Sequence, residues 1–71
     1  MINIRRYRLM AMMTQADLAA RCGVGATTVT MWETGKRMPT GLMIKKISQI
    51  LNCTVDDLLA DLETEKVPKE A

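Results

Sequence analysis

The sequence predicts an all-α fold of five short helices. Two observations carry that prediction. Apolar residues recur at spacings of three and four, and no stretch alternates apolar and polar residues as a half-buried strand does. Five segments are also set off by residue types that start and stop helices. Seventy-one residues make one small domain, and a chain of this size buries only about 60% of its unfolded surface, so the core is thin.

Taken in order, Asn3 is placed to cap a first helix running to about Met12. Thr14, followed three residues later by Asp17, has the pattern of a capping box for a second helix that ends at Gly23. Gly25 or a neighbour opens the third, which Gly35 closes. Pro39 and Thr40 open the fourth, which ends near Asn52, a residue tolerant of left-handed backbone. Thr54 with Asp57 repeats the cap signal for a fifth helix to about Leu62. The remainder, ETEKVPKEA, is polar and contains a proline, so residues 63–71 are expected to be a flexible tail on a domain of residues 1–62.

Connections this short force neighbouring helices to cross steeply rather than run as a bundle. Each helix offers an inward stripe: Ile4 and Tyr7 in the first, Leu18, Ala19 and Cys22 in the second, Val29 and Trp32 in the third. Met43, Ile44, Ile47 and Leu51 line the fourth, and Val55, Leu58 and Leu59 the fifth. Ile2, Leu9, Met10 and Met13 form a second apolar stripe on the first helix, facing away from Ile4 and Tyr7. That stripe is the expected docking face for a protein partner.

Composition narrows the function classes. Cys22 and Cys53 sit within helical patterns and read as buried thiols of a reducing compartment. Two cysteines with no histidine argue against zinc. No segment is long enough to cross a membrane, and MINIRRYRLM lacks the apolar core of a signal peptide, so a cytoplasmic protein is expected. With no histidine, one serine and no phosphate-cradling glycine loop, neither an enzyme nor a cofactor site is expected. The net charge of +2 hides an asymmetry. Residues 1–53 carry eight basic and two acidic side chains, +6, whereas residues 54–71 carry six acids and two lysines, −4. A polyanion-binding domain can look like this, as can ordinary charge scatter, and charge alone does not choose.

The third helix is the informative one. Its threonines, valine and glycines are weak helix formers, so tertiary packing must hold it. With Val29 and Trp32 inward, Thr27, Thr30, Met31 and Thr34 face outward, Ala26 and Thr28 flank them, and Glu33 lies at the edge of the buried face. Such a small, uncharged face fits a groove about 12 Å wide, where methyls and hydroxyls meet base edges.

TQADLAARCGVGATTVTMWETGKRMP, residues 14–39, resembles the Cro/repressor-type helix-turn-helix, the XRE-like family of bacterial and phage transcription regulators. The ordered set Gln15, Leu18-Ala19, Gly23-Val24, Val29, Trp32-Glu33, Gly35-Lys36 and Pro39 carries the resemblance, with NCTVDDLL as the entry to the fifth helix. It covers roughly residues 2–61. It implies a compact, five-helix lambda-repressor-like DNA-binding domain, with the helix-turn-helix formed by helices 2 and 3. The recognition helix, about residues 25–34, would lie in the major groove of double-stranded DNA.

By the same resemblance, Ala26, Thr27, Thr30 and Met31 match base-facing positions, and Gln15 and Thr28 match backbone-contacting ones. Lys36 and Arg37 are placed for phosphates. Arg8 and Glu33 match an internal salt bridge. A regulator of this kind, here expected to be a repressor, is expected to act as a homodimer on DNA. The alternative is an antitoxin-like or protein-interaction module with weak base reading. The chain departs from the family pattern at three points. Its recognition helix lacks a long amide or cationic side chain, Gly25 replaces a serine or threonine cap, and Met12 stands where a glycine often sits.

Overall fold

The computed structural model describes residues 2–65, and these form α1 (Ile4–Met10), α2 (Gln15–Cys22), α3 (Ala26–Thr34), α4 (Gly41–Ile50) and α5 (Val55–Glu65). The all-α expectation and the order of the five helices stand. α2 packs chiefly on α3, α4 packs on both α2 and α5, and α1 rests on α3. Ile4, Leu18, Ala19, Cys22, Val29, Trp32, Ile44, Ile47, Leu51 and Leu58 meet in one buried cluster. Tyr7, Met43, Val55 and Leu59 lie half-buried at its margin. Cys22 and Cys53 are free thiols, both pushed above the ordinary thiol range chiefly by burial.

Both capping boxes form. The Thr14 hydroxyl accepts the Asp17 N–H at 3.0 Å while the Asp17 carboxylate accepts the Thr14 N–H at 3.0 Å. At α5 the same exchange joins Thr54 and Asp57 at 2.9 and 3.0 Å. Thr40 caps α4 by accepting the Met43 N–H at 3.2 Å. The first N–H groups of these helices therefore have partners that the sequence itself supplies.

The first four helices stop in one way. In each, a residue in the left-handed region lets the following N–H reach a carbonyl five residues back, the bond of a Schellman turn. Met13 reaches Arg8, Val24 reaches Ala19, Lys36 reaches Met31 and Cys53 reaches Ser48, at 2.9–3.0 Å. The left-handed residues are Met12 (φ 59°), Gly23 (φ 77°), Gly35 (φ 81°) and Asn52 (φ 57°). Glycine is at ease there and asparagine nearly so, but a methionine is strained. Met12 is 91% exposed, so no packing of its side chain compensates.

Several expectations need correction. α1 ends at Met10 rather than Met12, because the chain reverses at that left-handed residue. Asn3 makes no side-chain cap; its amide instead donates to the Asp57 carbonyl at 3.3 Å, and its backbone N–H to the Leu58 carbonyl at 2.8 Å. That tie turns Ile2 inward, where it is 5% exposed in the core, so Ile2 is not part of an outer stripe. Ile2 precedes the helix, and a helical wheel does not govern it. Met13, beyond the reversal, also packs against the core. Of the expected docking face only Leu9 and Met10 stand out, at 53% and 68% exposed. α5 continues to Glu65, into the expected tail, whose residues 66–71 lie outside the described residues.

Candidate nucleic-acid interface

α2 and α3 are joined through residues 23–25, a turn short enough to hold the two helices at a steep crossing. α3 has no side-chain cap at Gly25 and is built from weak helix formers, so its stability comes from docking. Val29 and Trp32 supply that docking by inserting into the core, with Ala19 of α2 small enough to admit close approach. The helix is roughly 13 Å long, a length that fits within the major groove.

A chain of polar contacts fixes the helix from the other side. Arg8 on α1 donates from Nε to Glu33 Oε2 at 2.6 Å and from Nη2 to Oε1 at 3.3 Å. Its Nη1 donates to the Met13 carbonyl at 2.7 Å. The paired side chains are 8% and 4% exposed, so this is a buried ion pair with most of its hydrogen-bonding capacity used. Glu33 Oε1 also accepts Gln15 Nε2 at 3.0 Å, and Gln15 Oε1 accepts the Thr30 hydroxyl at 2.9 Å. α1, the start of α2 and the middle of α3 are thus connected through four side chains.

The outer side of α3 is small and uncharged. Ala26 and Thr27 are exposed, and Thr28, Thr30 and Met31 are half-buried. Residues 26, 27, 30 and 31 share one surface, and the Gln15–Thr30 contact brings the start of α2 beside it. Lys36 and Arg37, both exposed, follow the helix at its far end and have no acidic partner among the described residues. The surface is therefore neutral in the middle and cationic at one edge. Lys46 donates to the Cys22 carbonyl at the end of α2 at 3.4 Å, where a cation suits the helix dipole.

Two features escape sequence reasoning. The Thr34 hydroxyl turns back to the carbonyls of Thr30 at 2.9 Å and Met31 at 3.4 Å. The Thr30 hydroxyl lies 3.2 Å from the Ala26 carbonyl as well as against Gln15. Threonine in a helix often bonds four residues back, and that habit is the one signal available for both. Among the described residues no helix is long and apolar enough to cross a membrane.

Comparison with known proteins agrees with this architecture. A family model described as helix-turn-helix matches residues 4–58. An HTH-type transcriptional regulator of Archaeoglobus fulgidus is 36% identical over 56 residues, covering 79% of this chain and 80% of that protein. A second such regulator of the same organism is 34% identical over 56 residues, covering 79% of each. The HTH-type transcriptional activator BcrR of Enterococcus faecalis is 33% identical over 61 residues, which is 86% of this chain and 30% of BcrR. The chain belongs to the helix-turn-helix family, of the Cro/repressor type that residues 14–39 resemble.

Proposed function

We propose that this protein regulates transcription by binding specific sequences of double-stranded DNA, with α3 in the major groove. The observation that carries the reading is the neutral face of α3, braced from behind by the Arg8–Glu33–Gln15 chain and flanked by Lys36 and Arg37, which have no acidic partner among the described residues. A helix held in one orientation keeps its base-reading atoms in register, while cations at its edge neutralise phosphates. In this reading Ala26, Thr27, Thr30 and Met31 meet base edges. Gln15, Thr28, Lys36 and Arg37 meet the backbone, and Arg8 and Glu33 act only within the protein.

The finer parts of the proposal follow from the chemistry of the face. Without a long bidentate side chain, each subunit discriminates modestly, since such a pair is worth about 1–3 kcal/mol. Two subunits on half-sites about one helical turn (~34 Å) apart supply the rest. The protein then acts in the cytoplasm as a homodimer. Repression needs nothing beyond occupancy of an operator, so this domain suffices for it.

The test is selection from a pool of random duplex DNA at near-physiological salt, followed by sequencing of the bound fraction. A palindrome with half-sites one turn apart supports the reading. Purely salt-sensitive, unselective binding refutes it and favours the protein-interaction reading, for which exposed Leu9 and Met10 are the remaining contact residues. A reporter gene placed under the recovered site then separates repression from activation.

A further inference from the structure

The direction of every hydrogen bond in the brace behind α3 is set by its charged end. A guanidinium only donates and a carboxylate only accepts. Arg8 therefore fixes Glu33 as acceptor, and Glu33 Oε1 requires the amide nitrogen of Gln15 at its 3.0 Å contact. The opposite amide orientation would set a carbonyl oxygen against the carboxylate. With Nε2 turned to Glu33, Gln15 presents Oε1 to Thr30, and across that 2.9 Å contact the Thr30 hydroxyl must donate. A hydroxyl has one proton, and this one is used inside the protein. The Ala26 carbonyl, 3.2 Å away, draws on the same proton as a second acceptor. What remains of Thr30 for an outside partner is its methyl group and an acceptor lone pair; it has no proton left to offer a thymine O4, so toward thymine only the methyl counts.

The other threonines on this face differ. Thr34 has its hydroxyl on the carbonyls of Thr30 and Met31. Thr27 is exposed, and its hydroxyl has no partner among the described residues, so it is free to donate or accept. One helix face thus carries two threonines, of which Thr27 has a proton to donate and Thr30 has none.

We infer that Thr30 determines specificity as an apolar reader, its methyl meeting the C5-methyl of a thymine, while hydrogen-bond donation to bases on this face falls to Thr27. Thymine is the base that offers a methyl in the major groove, and apolar contact is the means by which it is recognised there. The Thr30 hydroxyl is a positioning group: through Gln15 it holds the methyl at one rotamer. The assignment rests on the DNA-binding reading above and specifies how one position of that site is read.

The experiment uses the full chain and the duplex it recovers from the random pool. Each thymine of the recovered half-site is replaced in turn by deoxyuracil, which lacks only the C5-methyl. Binding is measured for the wild type, Thr30→Ser and Thr30→Val. Serine keeps the hydroxyl and its bond to Gln15 but lacks the methyl; valine keeps the methyl and loses the bond. One deoxyuracil is expected to weaken the wild type about fourfold, the effect of one buried methyl. The same substitution adds no further loss for Thr30→Ser, because the two methyls form one contact and a double-mutant cycle couples them.

Thr30→Val is expected to bind several-fold more weakly on every sequence, since Gln15 loses its donor, yet to keep the deoxyuracil penalty. A recovered motif on which wild type and Thr30→Ser show equal penalties at every thymine overturns this assignment and leaves the DNA-binding reading standing. So does loss of preference in Thr30→Val with retention in Thr30→Ser. Failure of the wild type to recover any motif overturns both.

Discussion

Met12→Gly should stabilise this protein, although glycine usually weakens a fold. Met12 is held at φ 59°, in the left-handed region, by the bond from Met13 N–H to the Arg8 carbonyl. For an L-residue with a side chain that conformation costs roughly 1–2 kcal/mol, and for glycine almost nothing. The side chain is 91% exposed, so removing it forfeits little buried surface. Against the relief stands the greater freedom of glycine in the unfolded chain, about 0.5–1 kcal/mol. The net gain is about 0.5–1 kcal/mol, which for a domain of this size raises Tm by roughly 2–8 °C.

Thermal unfolding followed by circular dichroism measures the shift, and urea titration should show a higher midpoint at unchanged slope. Met12→Ala is the control. It removes the same side chain while keeping the backbone penalty, so its Tm should stay near that of the wild type. A Met12→Gly variant less stable than the wild type refutes the reasoning, and so does an equal gain from Met12→Ala. At Gly23 the sign reverses. Its φ is 77° and a Cβ at this position would point into open space, so Gly23→Ala should cost about 0.5–1 kcal/mol through the backbone alone.

Three further outcomes are expected. Arg8→Met leaves the Glu33 carboxylate buried without its cation and should cost about 3–5 kcal/mol; a chain this short has only about 4–10 kcal/mol in total, so the urea midpoint should fall by roughly a third or more, with part recovered when Glu33→Gln is added. Asp17 is held below the ordinary carboxylate range first by the Thr14 N–H and then by the Thr14 hydroxyl. A depressed acid stabilises the fold above its unfolded pKa and loses that contribution as pH falls through its folded one. Tm should therefore drop more steeply below about pH 4 in the wild type than in Asp17→Asn, and parallel acid limbs would contradict this. Lys36→Ala should weaken binding to all duplexes alike and flatten the dependence of log affinity on log salt by about one unit of slope; an unchanged slope places Lys36 off the DNA.

Much of this fold is legible in the sequence because its helix ends are written in short range. Thr14 with Asp17 and Thr54 with Asp57 form their boxes within four residues, and Gly23 and Gly35 carry their own backbone preference. The core stripes of α2, α3 and α4 follow from helical spacing alone. What escaped depends on contacts distant in sequence. Ile2 is buried because Asn3 is tied to α5, more than fifty residues away, and no local pattern announces that. The stop at Met12 is imposed on a residue with no preference for it, so α1 reads as longer than it is. At the candidate site the outward positions of α3 are readable from the wheel. Which of its hydroxyls remains free is not, because that depends on where Gln15 of a neighbouring helix points.

The brace between α1 and α3 also decides which molecule deforms when protein and duplex meet. Tilting α3 against α1 means opening an ion pair whose carboxylate is 4% exposed, a costly change for so small a fold. In the proposed homodimer, two such braced helices would leave the duplex to bend or twist until its grooves meet them. The work of bending depends on the base steps between the half-sites, stiff in A-tracts and soft at pyrimidine–purine steps. Under that proposal, base pairs that no side chain touches would weigh on affinity, and the stretch between the half-sites would become part of the address.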